Sequence, residues 1–388
     1  MNNAGSQMRH AVHTAPILQT GEGGAVWRSK TNTGQAPDRP REPLRRPWTG
    51  RTAAAGLVRM AAIHTLALLA LAFPAAAQMS PSPLDLPDPF GPPERQWAKL
   101  ADGKPWGTTA GIEIGPHGEI WAIDRCGDGS CDGSNMAAVH QIDPRTGRPL
   151  RSIGQGLFAM PHGLHVDRDG NVWVTDAAVA RHGGPKGEQV IKLSPGGKVL
   201  MRLGTAGVSG GGPARFHDPG DVVTAPNGDI FVADGHGTVA PDLPPDTITR
   251  IIKFTPDGKF IKAWGSLGAG PSQFRNPHAL VFDSKGRLLV ADRVNGRIQV
   301  FDQDGKWLTE YRGFNHPSGL FILPDDTLYA TDYNSEGQKG IYIGSARTGK
   351  VKYFVPDSEA GEGVALGPDG VLYGATPTGI TRFKPKAR

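Results

Sequence analysis

Two histidines and a glutamate stand at equivalent points of one repeated phrase in this 388-residue chain: His162 in PHGLHVDRDGNVWVTD, His278 in PHALVFDSKGRLLVAD and Glu362 in GEGVALGPDGVLYGAT. Imidazole nitrogen and carboxylate oxygen are the donors a divalent transition metal takes where one coordination position is left open for a substrate. The residue after the opening turn of each copy reads, in order, Ala110, His162, Gly220, His278, Ser318 and Glu362, so a metal-capable side chain falls on every second copy. Turns alone have no reason to select such a set. One or two places beyond the second apolar run stand Arg125, Ala177, the Gly235-His236 pair, Arg293, Tyr333 and Thr376. Arg125 and Arg293 offer guanidinium groups suited to clamping a carboxylate, and His236 can take a proton. Together these residues point to metal-assisted chemistry on a substrate that carries a carboxylate.

The elements that must position them follow from the phrase itself. Each copy reads as a turn, an apolar strand, a tight turn that is Asp-Gly or Asn-Gly in the second, third and sixth copies, and a second apolar strand. The first five copies add two more strands, at a period of about 40–58 residues. Short alternating strands bounded by such turns are hairpins, and four per period in six copies predict an all-β fold, a six-bladed β-propeller. A solenoid would need capping repeats. The last copy runs out after Phe383, so residues 96–100 are expected to supply its outermost strand and close the ring. In such a blade the start of the innermost strand and the end of its neighbour share one edge, which brings both residue sets to one face around the channel. Asp124, Asp176, Asp234, Asp292 and Asp332 end the second strand in five copies and read as turn-forming side chains. His117, His140, His165, His182 and His217 have no matching partner and read as structural. Arg297 reads as a blade-linking ion-pair residue, and residues 237–249, after His236, as a lid longer than a connection requires.

The formal charge of +5 is concentrated at one end: residues 1–77 hold nine Lys and Arg against three acids, which leaves the body near neutral. Without a basic stripe there, nucleic acid is not an expected partner. Residues 61–73 form an apolar run after Arg59 and before Pro74 and three alanines, the pattern of a secretory signal peptide. The expected organisation is an extension or over-extended start over 1–57, a signal peptide over 58–77, a Pro-rich spacer over 78–95 and the propeller over 96–388. No apolar stretch reaches the roughly 18 residues of a membrane helix. Export, to the periplasm or beyond, makes Cys126 and Cys131 a local disulfide in preference to metal ligands.

The segments MPHGLHVDRDGNVWVTD, FHDPGDVVTAPNGDIFVADGH and QFRNPHALVFDSKGRLLVADRVNGRIQ, with the IDR ending at Arg125, resemble NHL-repeat six-bladed propellers, in particular the peptidyl-α-hydroxyglycine α-amidating lyase family. The resemblance covers nearly the whole body. It implies zinc held by three histidines on alternate blades and cleavage of a carbinolamide into a peptide amide and glyoxylate. His162 and His278 match two of those ligands, and Glu362 falls on the third. Arg125 matches the family's catalytic arginine and Arg293 its second active-site arginine. His236 stands where the family has a tyrosine, and Gly363 where it places an acidic side chain on a structural calcium, so calcium here would lack that ligand. The implied mechanism has zinc or another divalent metal lower the pKa of the substrate hydroxyl, Arg125 hold the carboxylate and His236 take the proton. The implied partner is a small molecule or peptide with an α-hydroxyglycine-like group. The alternative is a non-catalytic propeller that presents this face to a protein, peptide or glycan. A lactonase-type hydrolase would hold its ion with carboxylates and Asn, which the histidines of blades two and four disfavour.

Overall fold

The structure, a computed structural model, describes residues 82–100, 104, 106–177, 184–333, 339–357, 359 and 361–387. The expected extension and signal peptide, the first residues of the spacer and His182 lie outside the described residues. β1 (Ile112–Ile114), β2 (Ile120–Ile123), β3 (Val139–Ile142) and β4 (Pro149–Ile153) form the first blade, an antiparallel sheet in chain order. β5 (Pro161–Val166), β6 (Val172–Asp176), β7 (Gln189–Leu193) and β8 (Val199–Leu203) form the second. The third holds β9 (Pro219–Thr224), β10 (Ile230–Asp234), β11 (Arg250–Phe254) and β12 (Phe260–Trp264), followed by a short parallel pair, β13 (Ser266–Leu267) and β14 (Gln273–Phe274). The fourth holds β15 (Pro277–Phe282), β16 (Leu288–Asp292), β17 (Arg297–Phe301) and β18 (Trp307–Arg312). The fifth holds β19 (Pro317–Ile322), β20 (Thr327–Asp332), β21 (Gly340–Ser345) and β22 (Val351–Pro356). The sixth has three strands, β23 (Val364–Leu366), β24 (Leu372–Thr376) and β25 (Gly379–Phe383). The chain is a six-bladed, all-β propeller.

Second strands are buried along their whole length because both faces are covered by neighbouring blades, which is why VWVTD, IFVAD and LLVAD carry almost no polar residue before the aspartate. Between blades one and two, Trp121, Ile123, Val139, Val172, Val174 and Ile191 pack into one apolar cluster, and like clusters fill the other gaps. The strand-ending aspartates act one level up. Asp176 accepts from the amides of Ala159 and Met160, Asp234 from His217, Asp292 from Arg275, and Asp332 from Asn315 and His316. Each carboxylate therefore pins the turn that leads into the innermost strand of its own blade.

The ring closes further upstream than residues 96–100. The amides of Gly91, Glu94 and Trp97 donate to the carbonyls of Lys384, Arg382 and Ile380, each at 2.8 Å, so the chain from Phe90 to Trp97 runs antiparallel to β25. Part of the expected spacer is thus the closing edge. Pro92 and Pro93 have no amide to donate, which leaves spaced bridges where the other blades have a fourth strand.

In five copies the turn between the first two strands places glycine at positive φ, but in blade five Asp326 takes that conformation, at φ 67°. The exchange supplies a link between blades. Asp326 accepts from the Ser284 amide (2.8 Å), the Ser284 hydroxyl (2.7 Å) and Arg347 Nε (2.7 Å). Burial opposes its charge, yet Arg347 and the two Ser284 donors hold the carboxyl down at about 2. Because the folded value lies below the ordinary carboxylate value of about 3.9, the ion stabilises the fold above pH 4, and this is lost as pH falls toward 2. Asp326→Asn is expected to cost about 2 kcal/mol at neutral pH and to show a smaller acid loss than the parent in urea titrations. Identical acid slopes would contradict this.

Candidate functional site

β5, β15 and β19 each begin with proline and slip register against their neighbours, between Pro161 and Leu164, Pro277 and Leu280, and Pro317 and Leu320. A bulge at those points re-aims the residue it carries. The residues carried are His162, His278 and Ser318. The amides freed by the bulge are satisfied locally, Gly163 donating to Thr175 Oγ1 and Gly319 to Thr331 Oγ1, both at 2.7 Å. His162 and His278 are buried, at 3% and 4% exposure.

Their tautomers follow from their partners. His162 Nδ1 lies 2.8 Å from Gly220 O and His278 Nδ1 3.3 Å from Ser318 O. A carbonyl only accepts, so the proton sits on Nδ1 in both rings and Nε2 keeps its lone pair. Burial first, and then the charges of His236, His278 and Arg125, hold His162 well below its ordinary pKa. Burial, Arg293 and His236 do the same for His278. Both rings are in the neutral form that metals take.

His236 reaches the same place from the end of β10. The amides of Gly235 and His236 both donate to Asp218 O, and Asn276 Nδ2 donates to His236 O at 2.6 Å, which fixes the turn. Blade three has Gly220 where blades two and four have histidine. A Cβ there would lie 3.3 Å from His236 Cβ, so the missing side chain makes room for the ring. The ring centroids are 4.0 Å apart for His162 and His236, 4.8 Å for His162 and His278, and 5.1 Å for His236 and His278. One ligand atom from each of the three lies within 4.8 Å of the others. The structure therefore places His236 among the imidazoles. Glu362 approaches from blade six with Oε2 at 3.4 Å from His278 Nε2. A cavity of about 50 Å³, lined by His162, His278, Glu362 and the inner strands, lies on the axis.

These donors fit a divalent cation. His278 Nε2, His236 Nδ1 and Glu362 Oε2 are buried with no hydrogen-bond partner among the described residues, an arrangement proteins rarely keep without an ion or water to satisfy it. Gly363 contributes no side chain; its amide donates to Ala110 O and its carbonyl accepts from the Ala375 amide.

Arg125 and Arg293 stand at the same rim. Arg125 is buried, its Nε donates to Pro161 O at 3.0 Å, and its turn is held by Asp124 Oδ1, which accepts from Gly107 and Gly127. Cys126 and Cys131 are disulfide-bonded directly beyond it. Arg293 lies over the ring of Tyr333, with Cζ 4.0 Å from the centroid. Tyr333 was in plain view, since it occupies the same post-strand position as Arg125 and Arg293, but an aromatic there looks like packing until its stacking partner is known. The segment expected to act as a lid is tied at its start: Thr238 Oγ1 donates to Gly235 O and accepts from Asn276 N, and Arg275 donates to Ala240 O.

The chain matches known proteins at three levels. The model of the NHL repeat matches residues 274–301. Peptidyl-glycine alpha-amidating monooxygenase B of Xenopus laevis is 34% identical over 63% of this chain, which spans 28% of that relative's length. A probable peptidyl-alpha-hydroxyglycine alpha-amidating lyase of Caenorhabditis elegans is 27% identical over 69% of this chain and 79% of its own. Among solved structures, a Xanthomonas campestris gluconolactonase aligns with TM-score 0.54 at 15% identity, covering 78% of this chain and 97% of its own, a likeness of fold alone.

Proposed function

We propose that this chain, an NHL-repeat six-bladed β-propeller with relatives among the peptidyl-α-hydroxyglycine α-amidating lyases, is itself an exported, metal-dependent carbon–nitrogen lyase. Its substrate is a carbinolamide of the α-hydroxyglycine type and its products are an amide and glyoxylate. The observation that carries this reading is the set of three buried imidazoles whose ligand atoms lie within 4.8 Å, beside two arginines and a carboxylate oxygen 3.4 Å from His278 Nε2. The disulfide beside Arg125 supports an oxidising compartment.

His162, His236 and His278 hold zinc or another divalent transition metal, which when bound supplies Lewis-acid polarisation of the substrate hydroxyl. Arg125 pairs with the carboxylate of the hydroxyglycine and fixes the carbinol carbon beside the cluster. Glu362 Oε2 takes the hydroxyl proton. The carbon–oxygen double bond forms as the carbon–nitrogen bond breaks, and the same proton returns to the leaving amide nitrogen, so glyoxylate and the amide account for every atom. This exchanges the roles expected for His236 and Glu362 from their copy positions alone. The exchange rests on the room left by Gly220 and on the single imidazole that Glu362 touches.

The test is glyoxylate release from an N-acylated α-hydroxyglycine by the purified protein. Turnover that a chelator removes and zinc restores is expected, with Glu362→Gln retaining metal but losing at least about a hundredfold in rate. Absence of turnover in metal-loaded protein, or turnover indifferent to chelator, would exclude the reading and leave the non-catalytic propeller.

A further inference from the structure

Two cations bear on one aromatic ring at the rim of the site. Arg293 Cζ lies 4.0 Å and Lys339 Nζ 5.2 Å from the centroid of Tyr333. Neither has a carboxylate at ion-pair distance among the described residues. Several other arginines of blades three to six do: Arg250 pairs with Asp234, Arg297 with Asp292, Arg347 with Asp326 and Arg382 with Glu94. The ring attracts each cation, but two positive charges gathered on it repel each other until an anion joins them.

The ring's place is fixed from two sides. The Tyr333 amide donates to His316 O at 3.0 Å. On the other side, a Cβ on Gly361 would come within 2.6 Å of Tyr333 Cδ2, so the ring lies flush against the residue that precedes Glu362. The cationic pair therefore adjoins the carboxylate beside the histidine cluster, and Arg293 is one of the charges felt at His278.

We propose that Arg293, Lys339 and Tyr333 form an anion subsite that takes a second carboxylate of the substrate, in addition to the one held by Arg125. The guanidinium supplies a fork of donors, the ammonium a point charge and the phenol a hydroxyl donor on a rigid ring. With the hydroxyglycine at the histidines, the group that reaches this subsite is the side chain of the preceding residue, so the preferred substrates end in Asp or Glu before the hydroxyglycine. Identification of the ligand as a peptide end rests on the reaction proposed above, whereas the anion binding does not.

Calorimetry on the full-length protein with two unreactive probes, N-acetyl-Glu-Gly and N-acetyl-Gln-Gly, tests this without turnover. The Glu probe is expected to bind about tenfold more tightly than the Gln probe, and the preference to fade as salt is raised. Lys339→Gln and Tyr333→Ala should each bring the ratio below about threefold, while Tyr333→Phe, which keeps the ring, should retain most of it. Equal affinity for the two probes, or a full preference in Lys339→Gln, would overturn the subsite. A preference that persists in protein releasing no glyoxylate would keep the subsite and reject the reaction.

Discussion

His278→Ala is expected to leave a folded propeller that no longer holds metal. The imidazole makes one hydrogen bond to the fold, the 3.3 Å contact from Nδ1 to Ser318 O, and its strand is anchored by a register that does not involve the side chain. What it gives to the site is larger. Its Nε2 is buried beside Glu362 Oε2 and shares the cluster with His162 and His236, so removal leaves two imidazoles where three converged. Loss of an outer partner of a metal ligand already costs 10–100-fold in affinity, so loss of a ligand itself should cost more than about a hundredfold, and glyoxylate release should fall by at least as much. Metal content after dialysis, read with a circular dichroism melt, checks both halves: metal near zero with a melting temperature within a few degrees of the parent. Retained stoichiometric metal would remove His278 from the ligand set.

The largest effect on stability is expected away from the site, at Arg297→Met. Arg297 is 1% exposed, pairs with Asp292 at 2.8 Å and Glu310 at 2.7 Å, and donates to the carbonyls of Gly270 and Gln273 in the connection between blades three and four. Both ion-pair partners lie in its own blade, so the blade-linking ion pair expected from the sequence is an intra-blade one, and Arg297 reaches the connection from blade three through those carbonyls alone while neutralising a carboxylate that is itself fully buried. Breaking a buried pair by removing one partner strands the other charge, a loss of about 3–5 kcal/mol. Asp292 retains donors in the Arg275 amide and Asn295, so the lower part of that range is expected for the single variant. The double variant Arg297→Met with Asp292→Asn should recover part of the loss, because the stranded charge is gone. Urea midpoints measure both. A loss under about 1 kcal/mol would show that water reaches the pair.

The blades and their order were legible because a propeller repeats one local rule. Alternation and tight turns, most with glycine, specify the hairpins without reference to distant residues, and the same sentence in six copies makes equivalence readable. His162 and His278 were visible for that reason, since equivalent positions in a ring must face one axis. His236 was visible only as a rim residue. Its entry into the cluster depends on Gly220 lacking a side chain and on Asp218 and Asn276 holding a turn, three residues whose nearness to it no local pattern announces. Tyr333 is the same case, for its role depends on Arg293 from one blade and Lys339 from across its own. The closing edge was displaced because two prolines make it look like a linker, whereas the amides of Gly91, Glu94 and Trp97 are enough to pair with β25.

The most direct measurement is anomalous diffraction at the zinc edge from crystals of the zinc-equilibrated protein. One strong peak bounded by the ring nitrogens of His162, His236 and His278 is predicted. A map with no peak there, or with the ion bound elsewhere on the chain, would contradict the account at its root.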